Sequence, residues 1–318
     1  MLQQSYLTEF DPALLHEPGV LTVVSFAPQC VPPDQLGIIP VGFGALSEHA
    51  AECLRYGSTP AIRGVQDGCH WSCIDDVICV ATWISPQDCE AIDQATCEAY
   101  IRIARVLKAH DKTHMFRAWN FIPAINEGEG DYENYKKFCA GRLRAFLEIG
   151  LTEQGFPAAS ALGHHSEGAV IYVLASSRAP LQFENPQQQS AYHYPREYGP
   201  SSPSFARASV IDLQRQRVLF ISGTASILGH ETHAVGDLQR QLAVTHDNIA
   251  SLVERVSPGQ RALDVVRIYL REQQDFAHAE AFARQAFPGA HCSVVHADIC
   301  RANLLVEIEA AVAIPAGN

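Results

Sequence analysis

No stretch of the sequence reaches the roughly 18 consecutive apolar residues of a membrane helix. Its start, MLQQSYLTEFDP, lacks the basic n-region and apolar h-region of a secretion signal. The protein is therefore expected in the cytoplasm, with no membrane partner. Positive charge is scarce: 23 lysines and arginines face 35 aspartates and glutamates, a formal charge of −12. Nucleic acids and anionic lipid surfaces are held by basic surfaces that release counterions or meet headgroups. Neither is an expected partner, and a small molecule is. Nucleotide-binding glycine spacings are missing. Complete metal motifs are missing too. The nearest patterns are Cys69-x3-Cys73 beside His70, and His230-Glu231-Thr232-His233, one residue short of the helical H-E-x-x-H spacing. No metal and no cofactor is expected.

What is present is a long chain with a usable core. Its 318 residues exceed the usual size of one domain, so two domains, or one built from two related halves, are expected. Its ten cysteines are scattered through that length rather than clustered in a short secreted frame, which favours reduced, buried thiols.

Periodicity organises the C-terminal half. Runs at 207–213 and 217–222 read as a hairpin. Leu238, Leu242, Ile249, Leu252, Val253 and Val256 then fall on one helical face, with Pro258-Gly259 as the stop. A strand at 263–270, a helix at 276–287 and strands at 292–298 and 303–314 complete a ββαβαββ order. The N-terminal half shows a looser version. Strand-like runs at 61–65 and 71–84 precede a helix at 88–108, a strand at 115–122, a helix at 132–149, and strands near 156–162 and 169–175. A duplicated, diverged domain is the reading. Between the halves, residues 179–205 lack periodicity but carry Tyr192, Tyr194, Tyr198 and Phe205, more aromatic than a flexible spacer, so these rings are expected to pack as a pocket wall.

Chemistry-bearing residues converge in the C-terminal half. Arg196 and Arg207 lie in and behind the loop, and Arg301 lies at the bend between the last two strands. Two guanidiniums can each grip a carboxylate with two hydrogen bonds, which suits a dicarboxylate; the alternative for each is an ordinary surface ion pair, the better account for Arg196 beside Glu197. Glu307 sits in the apolar run LLVEIEAAV on the face of Leu305 and Glu309. Half-desolvated, it would favour its protonated form and serve as a general acid; on a solvated face it would not. Ser222-Gly223-Thr224-Ala225-Ser226 is small enough for backbone N–H groups to approach a ligand's anionic oxygens, or is simply a turn. Cys300, beside Arg301, is read as a pocket-lining residue rather than a nucleophile. The matching N-terminal segment, HHSEGAVIYVLAS, has no arginine at its bend, so that half is expected to be scaffold.

These residues resemble known families. The ββαβαββ order, the ISGTAS turn and the ending DICRANLLVEIE look like the RidA/YjgF domain, whose ligand site uses an arginine at the bend and a glutamate on the last strand, here Arg301 and Glu307. NPQQQSAYHYPREYGPSSPSFARAS and SGTASILGHETHAVGD resemble the chorismatases. That resemblance implies an α+β fold of two RidA/YjgF-like (chorismate-mutase-like) halves. Residues 1–178 would form a degenerate N-terminal domain and 179–318 a catalytic domain led by the Tyr/Pro-rich loop 179–205. It implies chorismate as substrate, protonated on its enol-ether methylene by Glu307, with Arg207 and Arg301 on its two carboxylates. Tyr194, Tyr198, Gly223, Thr224 and Ala225 would complete the binding site. Cys300 looks like the pocket residue of hydroxybenzoate-forming members, and the chain is most similar to the type releasing pyruvate with 3- and 4-hydroxybenzoate. A dihydroxycyclohexadiene carboxylate product, a RidA-type imine deaminase and a non-catalytic small-molecule binder remain as alternatives, and the oligomeric state stays open.

Overall fold

The computed structural model describes residues 2–214 and 216–315. Strands β1 (Gln3–Leu7), β2 (Val20–Ser25), β3 (Ile38–Pro40) and β4 (Ala51–Arg55) pair in the order β1-β4-β2-β3. This sheet was not foreseen, because its strands are short and interrupted by proline- and glycine-bearing segments. Next come β5 (Ile62–Gln66), β6 (Cys69–Ile74), β7 (Val77–Ile84), α1 (Ile92–Ala109), β8 (His114–Pro123), α2 (Asn134–Glu148), β9 (Ala158–His164) and β10 (Ala169–Ser176). The run expected as one strand over 71–84 is two, since Asp75, at φ 50°, turns the chain between β6 and β7.

The C-terminal half runs β11 (Leu181–Phe183), β12 (Ala208–Leu213), β13 (Gln216–Ala225), the ribbon β14 (Ile227–Leu228) and β15 (Glu231–Thr232), α3 (Leu238–Val256), β16 (Val265–Leu270), α4 (Phe276–Ala286), β17 (His291–His296) and β18 (Val306–Ile314). The sheet orders are β5-β6-β7-β10-β8-β9 and β11-β12-β13-β18-β16-β17. The two six-stranded sheets thus repeat one topology, each with a single parallel pair in the same place: β8 with β9, and β16 with β17. The expected α+β fold of two RidA/YjgF-like ββαβαββ halves is the one observed.

Alternation along the strands explains how the layers stack. In β10, Val170, Tyr172 and Leu174 point into a core shared with Ile211, Phe220 and Tyr269 of the other half. Ala169, Ile171, Val173 and Ala175 point the opposite way, under α1 and α2. In β18, Val306, Ile308, Ala310 and Val312 face α3 and α4. The two sheets therefore meet face to face, with helices outside. Strands covered on both faces read as continuous apolar runs, as the sequence does here. Helix α3 starts at Asp237, whose carboxylate accepts from the Arg240 N–H at 3.0 Å. No described helix is long and apolar enough to cross a membrane.

Candidate active site

A cavity of about 490 Å³ opens between the two halves. The C-terminal half lines it with Arg207, Gly223, Ala225, Cys300, Arg301 and Glu307, and the connecting segment adds Tyr194, Tyr198 and Phe205. The N-terminal half adds Asn126, Tyr135, Arg142, Ser160 and Ala161, so the view of that half as scaffold alone is corrected. Of the residues singled out from the sequence, Tyr192 lies outside the cavity lining and packs against Phe156, and Thr224 does not line the cavity either. Strand alternation turns it away, and its hydroxyl donates to the Ser222 carbonyl at 2.8 Å.

Glu307 and Glu309 share the inward face of β18, and both are buried, at 4% and 6% exposure, which removes the solvated-face alternative. The strands around them are shaped for this. Ile221 pairs with Ala310 but Thr224 with Ile308, so β13 carries one extra residue at Ser222-Gly223. This bulge brings Gly223 against Oε1 of Glu307, where any Cβ would overlap the carboxyl. The Gly223 N–H donates to Ser160 Oγ at 2.9 Å. It is therefore spoken for, contrary to the expectation that this turn offers its N–H groups to a ligand.

The two carboxyls have opposite surroundings. Burial pushes Glu307 up to about 8, with the neighbouring Glu309 charge adding and Arg117 and Arg207 opposing. At neutral pH it is therefore the acid form. For Glu309, burial pulls upward, but charged and polar partners more than offset it and hold the carboxyl below its ordinary value. Arg117 Nη2 donates to it at 2.6 Å, Ser160 Oγ at 2.5 Å and Trp119 Nε1 at 2.9 Å. Arg267 Nη1 stands 3.4 Å away. Two carboxyls whose environments drive their proton affinities apart form the pattern of an acid beside a fixed anion.

Three arginines present donors to the cavity. Arg207, 3% exposed, donates through Nη2 to the Gln189 carbonyl at 2.9 Å and to the Tyr194 hydroxyl at 2.6 Å. Arg301 donates through Nη1 to the His230 carbonyl at 2.9 Å and to Thr232 Oγ1 at 3.1 Å. Its guanidinium lies over Tyr198, 4.0 Å from the ring centroid, and 5.2 Å from that of Tyr194. Tyr194 thus touches both guanidiniums, which explains its aromatic loop. Nε of Arg207, Nη2 of Arg301, and Nε and Nη2 of Arg142 are buried with no partner among the described residues. Unpaired buried donors are costly, and the three arginines that carry them line the cavity, where cationic groups suit a carboxylate. Arg196 lies outside, paired with Asp131 at 2.6 Å across an exposed surface, as the surface reading had it. Cys300 lines the cavity, but burial, with Glu307 nearby, pushes its thiol up to about 12, far from a thiolate.

Residues 54–175 match the family described as "Chorismatase FkbO/Hyg5-like, N-terminal". A 3-hydroxybenzoate synthase from Streptomyces hygroscopicus is 37% identical over 235 residues, 69% of each chain. A chorismatase from the same organism is 32% identical over 272 residues, 81% of this chain and 78% of that one. The chain belongs to the chorismatase family. A chorismatase crystal structure superimposes with a TM-score of 0.86 at 27% identity, covering 98% of both chains, so the fold of this family member is shared over its whole length.

Sequence reasoning missed the N-terminal contribution to this chorismatase-family cavity. Arg142 occupies the apolar stripe Phe138, Cys139, Ala145 and Phe146 of α2, all buried. An arginine at core spacing was the available clue. Arg117 is likewise a lone charge inside the apolar strand HMFRAWNFIP.

Proposed function

We propose that the protein is a chorismatase that converts chorismate into pyruvate and hydroxybenzoate, both 3- and 4-hydroxybenzoate. One observation carries the reading: a buried carboxyl that keeps its proton at neutral pH lines the same cavity as three arginines. Chorismate has a ring carboxylate and an enolpyruvyl carboxylate joined by an acid-labile enol ether. Arg207 and Arg301 are the anchors for the two anions. With the carboxylates held, Glu307 delivers its proton to the enol-ether methylene. The adjacent carbon becomes an oxocarbenium centre, whose positive charge the new Glu307 carboxylate stabilises, with the ionised Glu309 behind it. Cleavage of the ether to the ring then releases pyruvate. Aromatisation of the ring needs no added atoms, since pyruvate and hydroxybenzoate together contain the atoms of chorismate. Loss of the proton from the hydroxyl-bearing carbon gives 4-hydroxybenzoate. Bonding of that hydroxyl to the neighbouring carbon as the ether leaves, reopening of the epoxide at its original carbon and loss of the other ring proton give 3-hydroxybenzoate. In each case the ring proton that is lost restores the acid.

The relative named 3-hydroxybenzoate synthase supports the aromatic product. Cys300 and Ala225 both line the cavity, and in this reading they bear on whether water adds or the ring aromatises. The cavity volume falls within the roughly 300–1,000 Å³ of small-molecule sites. In this reading residues 179–318 form the catalytic domain, and residues 1–178 form the degenerate domain that closes the pocket and braces the acid. The test is chromatography of the purified protein incubated with chorismate, following pyruvate and ring products together. Pyruvate with 3- and 4-hydroxybenzoate is expected. Pyruvate with a non-aromatic dihydroxy acid would move the product to the hydrolytic type, and absence of pyruvate would overturn the reading.

A further inference from the structure

The ion pairs behind Glu307 continue well beyond the cavity. Glu309 meets Arg117 of β8 on one side and Arg267 of β16 on the other. Arg267 also pairs through Nη2 with Glu52 of β4, in the N-terminal four-stranded sheet. The other oxygen of Glu52 accepts from Gln4 Nε2 of β1 at 2.8 Å. Glu52, Arg267 and Arg117 are each 1% exposed. Neither Glu52 nor Arg267 lines the cavity. Two cations and two anions are therefore sealed in one row between three sheets. An apolar set of similar volume commonly stabilises a fold as well as a buried ion row does, so stability is a weak account of it.

The row does have an electrical consequence. Its four charges cancel, so ionising Glu307 adds a buried negative charge to a neutral surround, with Arg207 as the further cation nearby. The other titratable groups against Glu307 are Tyr135 of α2 and Cys300. Burial raises both, so neither contributes charge at neutral pH. At the far end, Tyr6 and Tyr269 flank Arg267, and burial keeps them neutral as well. Without Glu52, Arg267 would face one anion instead of two and the row would be positive.

We propose that Glu52, although it touches no part of the cavity, is a positioning residue for the reaction: through Arg267 and Glu309 it keeps the buried charges even, so that Glu307 meets the substrate as an acid. The inference rests on the reading of Glu307 as proton donor and deepens it. It gives the four-stranded sheet, which lies outside both ββαβαββ repeats, a part in the chemistry.

The test reads the proton directly. The carboxylic C=O band of Glu307, identified by its loss in Glu307→Gln, is titrated by infrared spectroscopy in the substrate-free protein. For a unit charge on the order of 10 Å away in an effective dielectric of about 20, Glu52→Gln should lower the midpoint by about one pH unit. Arg267→Gln should raise it, and the charge-even double variant should keep the wild-type midpoint. General loosening of the fold does not produce opposite shifts. Should a single variant fail to fold, the double still decides, because a shifted midpoint there overturns the proposal. Unmoved midpoints in the single variants also overturn it, whatever the protein does to chorismate. Opposite shifts that pyruvate release follows support it. Opposite shifts that pyruvate release ignores leave the charge coupling standing and overturn Glu307 as the donor.

Discussion

Replacing Glu307 by glutamine should abolish pyruvate release and yet make the protein more stable. The sign follows from linkage. A carboxyl with an ordinary value of 4.5 that is raised to about 8 in the fold holds its proton between those limits, where the unfolded chain has lost it. The folded state then binds more protons, so stability falls as pH rises through that window. Each pH unit costs about 1.4 kcal/mol, so the penalty at pH 7 is roughly 3 kcal/mol relative to pH 4.5. Glutamine removes this penalty and gives back about 1 kcal/mol through its buried amide donors, leaving a net gain of about 2 kcal/mol at pH 7. Urea unfolding of both proteins at pH 5, 6, 7 and 8 measures it. The gap between them should be smallest at pH 5, widen to pH 8 and level off above. Parallel stability curves would refute the reasoning, because Glu307 would then titrate alike in both states.

The same raised value predicts a rate profile. Pyruvate release should be full at neutral pH and decline as pH rises through about 8, where the acid loses its proton; a flat profile to pH 10 would exclude Glu307 as the donor. Arg301→Ala should reduce kcat/KM by an amount equivalent to about 2–4 kcal/mol, roughly 30- to 1,000-fold, since it removes one partner of a buried charge pair. Steady-state kinetics check this, and an unchanged value would place Arg301 outside the binding site. Gly223→Ala puts a methyl where the Glu307 carboxyl lies, with no strained φ at that glycine to confuse the outcome. It should cost on the order of 100-fold in kcat, the scale of a displaced acid. Wild-type turnover in that variant would show that Glu307 works from another position.

The repeat was legible because both halves bury each sheet on both sides, which writes apolar runs and helical stripes directly into the chain. Cys300, Arg301 and Glu307 were legible for a related reason: a bend and a charge in an apolar strand are local departures from those patterns, while Gly223 stood out in a run of small residues. Thr224 was taken with Gly223 and Ala225 as one run of small residues, but strand alternation leaves only its two neighbours lining the cavity. The four-stranded sheet escaped because β3 spans only Ile38–Pro40 and its strands are far apart in sequence.

The sequence by itself determined the two ββαβαββ halves, the aromatic loop between them and the presence of two carboxyls on one face of β18. It did not determine which carboxyl is the acid. Arg117 lies 192 residues from Glu309 along the chain and 2.6 Å from it in space, and Glu52 reaches the same row through Arg267. Charges act across space and not along the chain. Only the packing of three sheets decided that Glu309 keeps its charge and Glu307 keeps its proton.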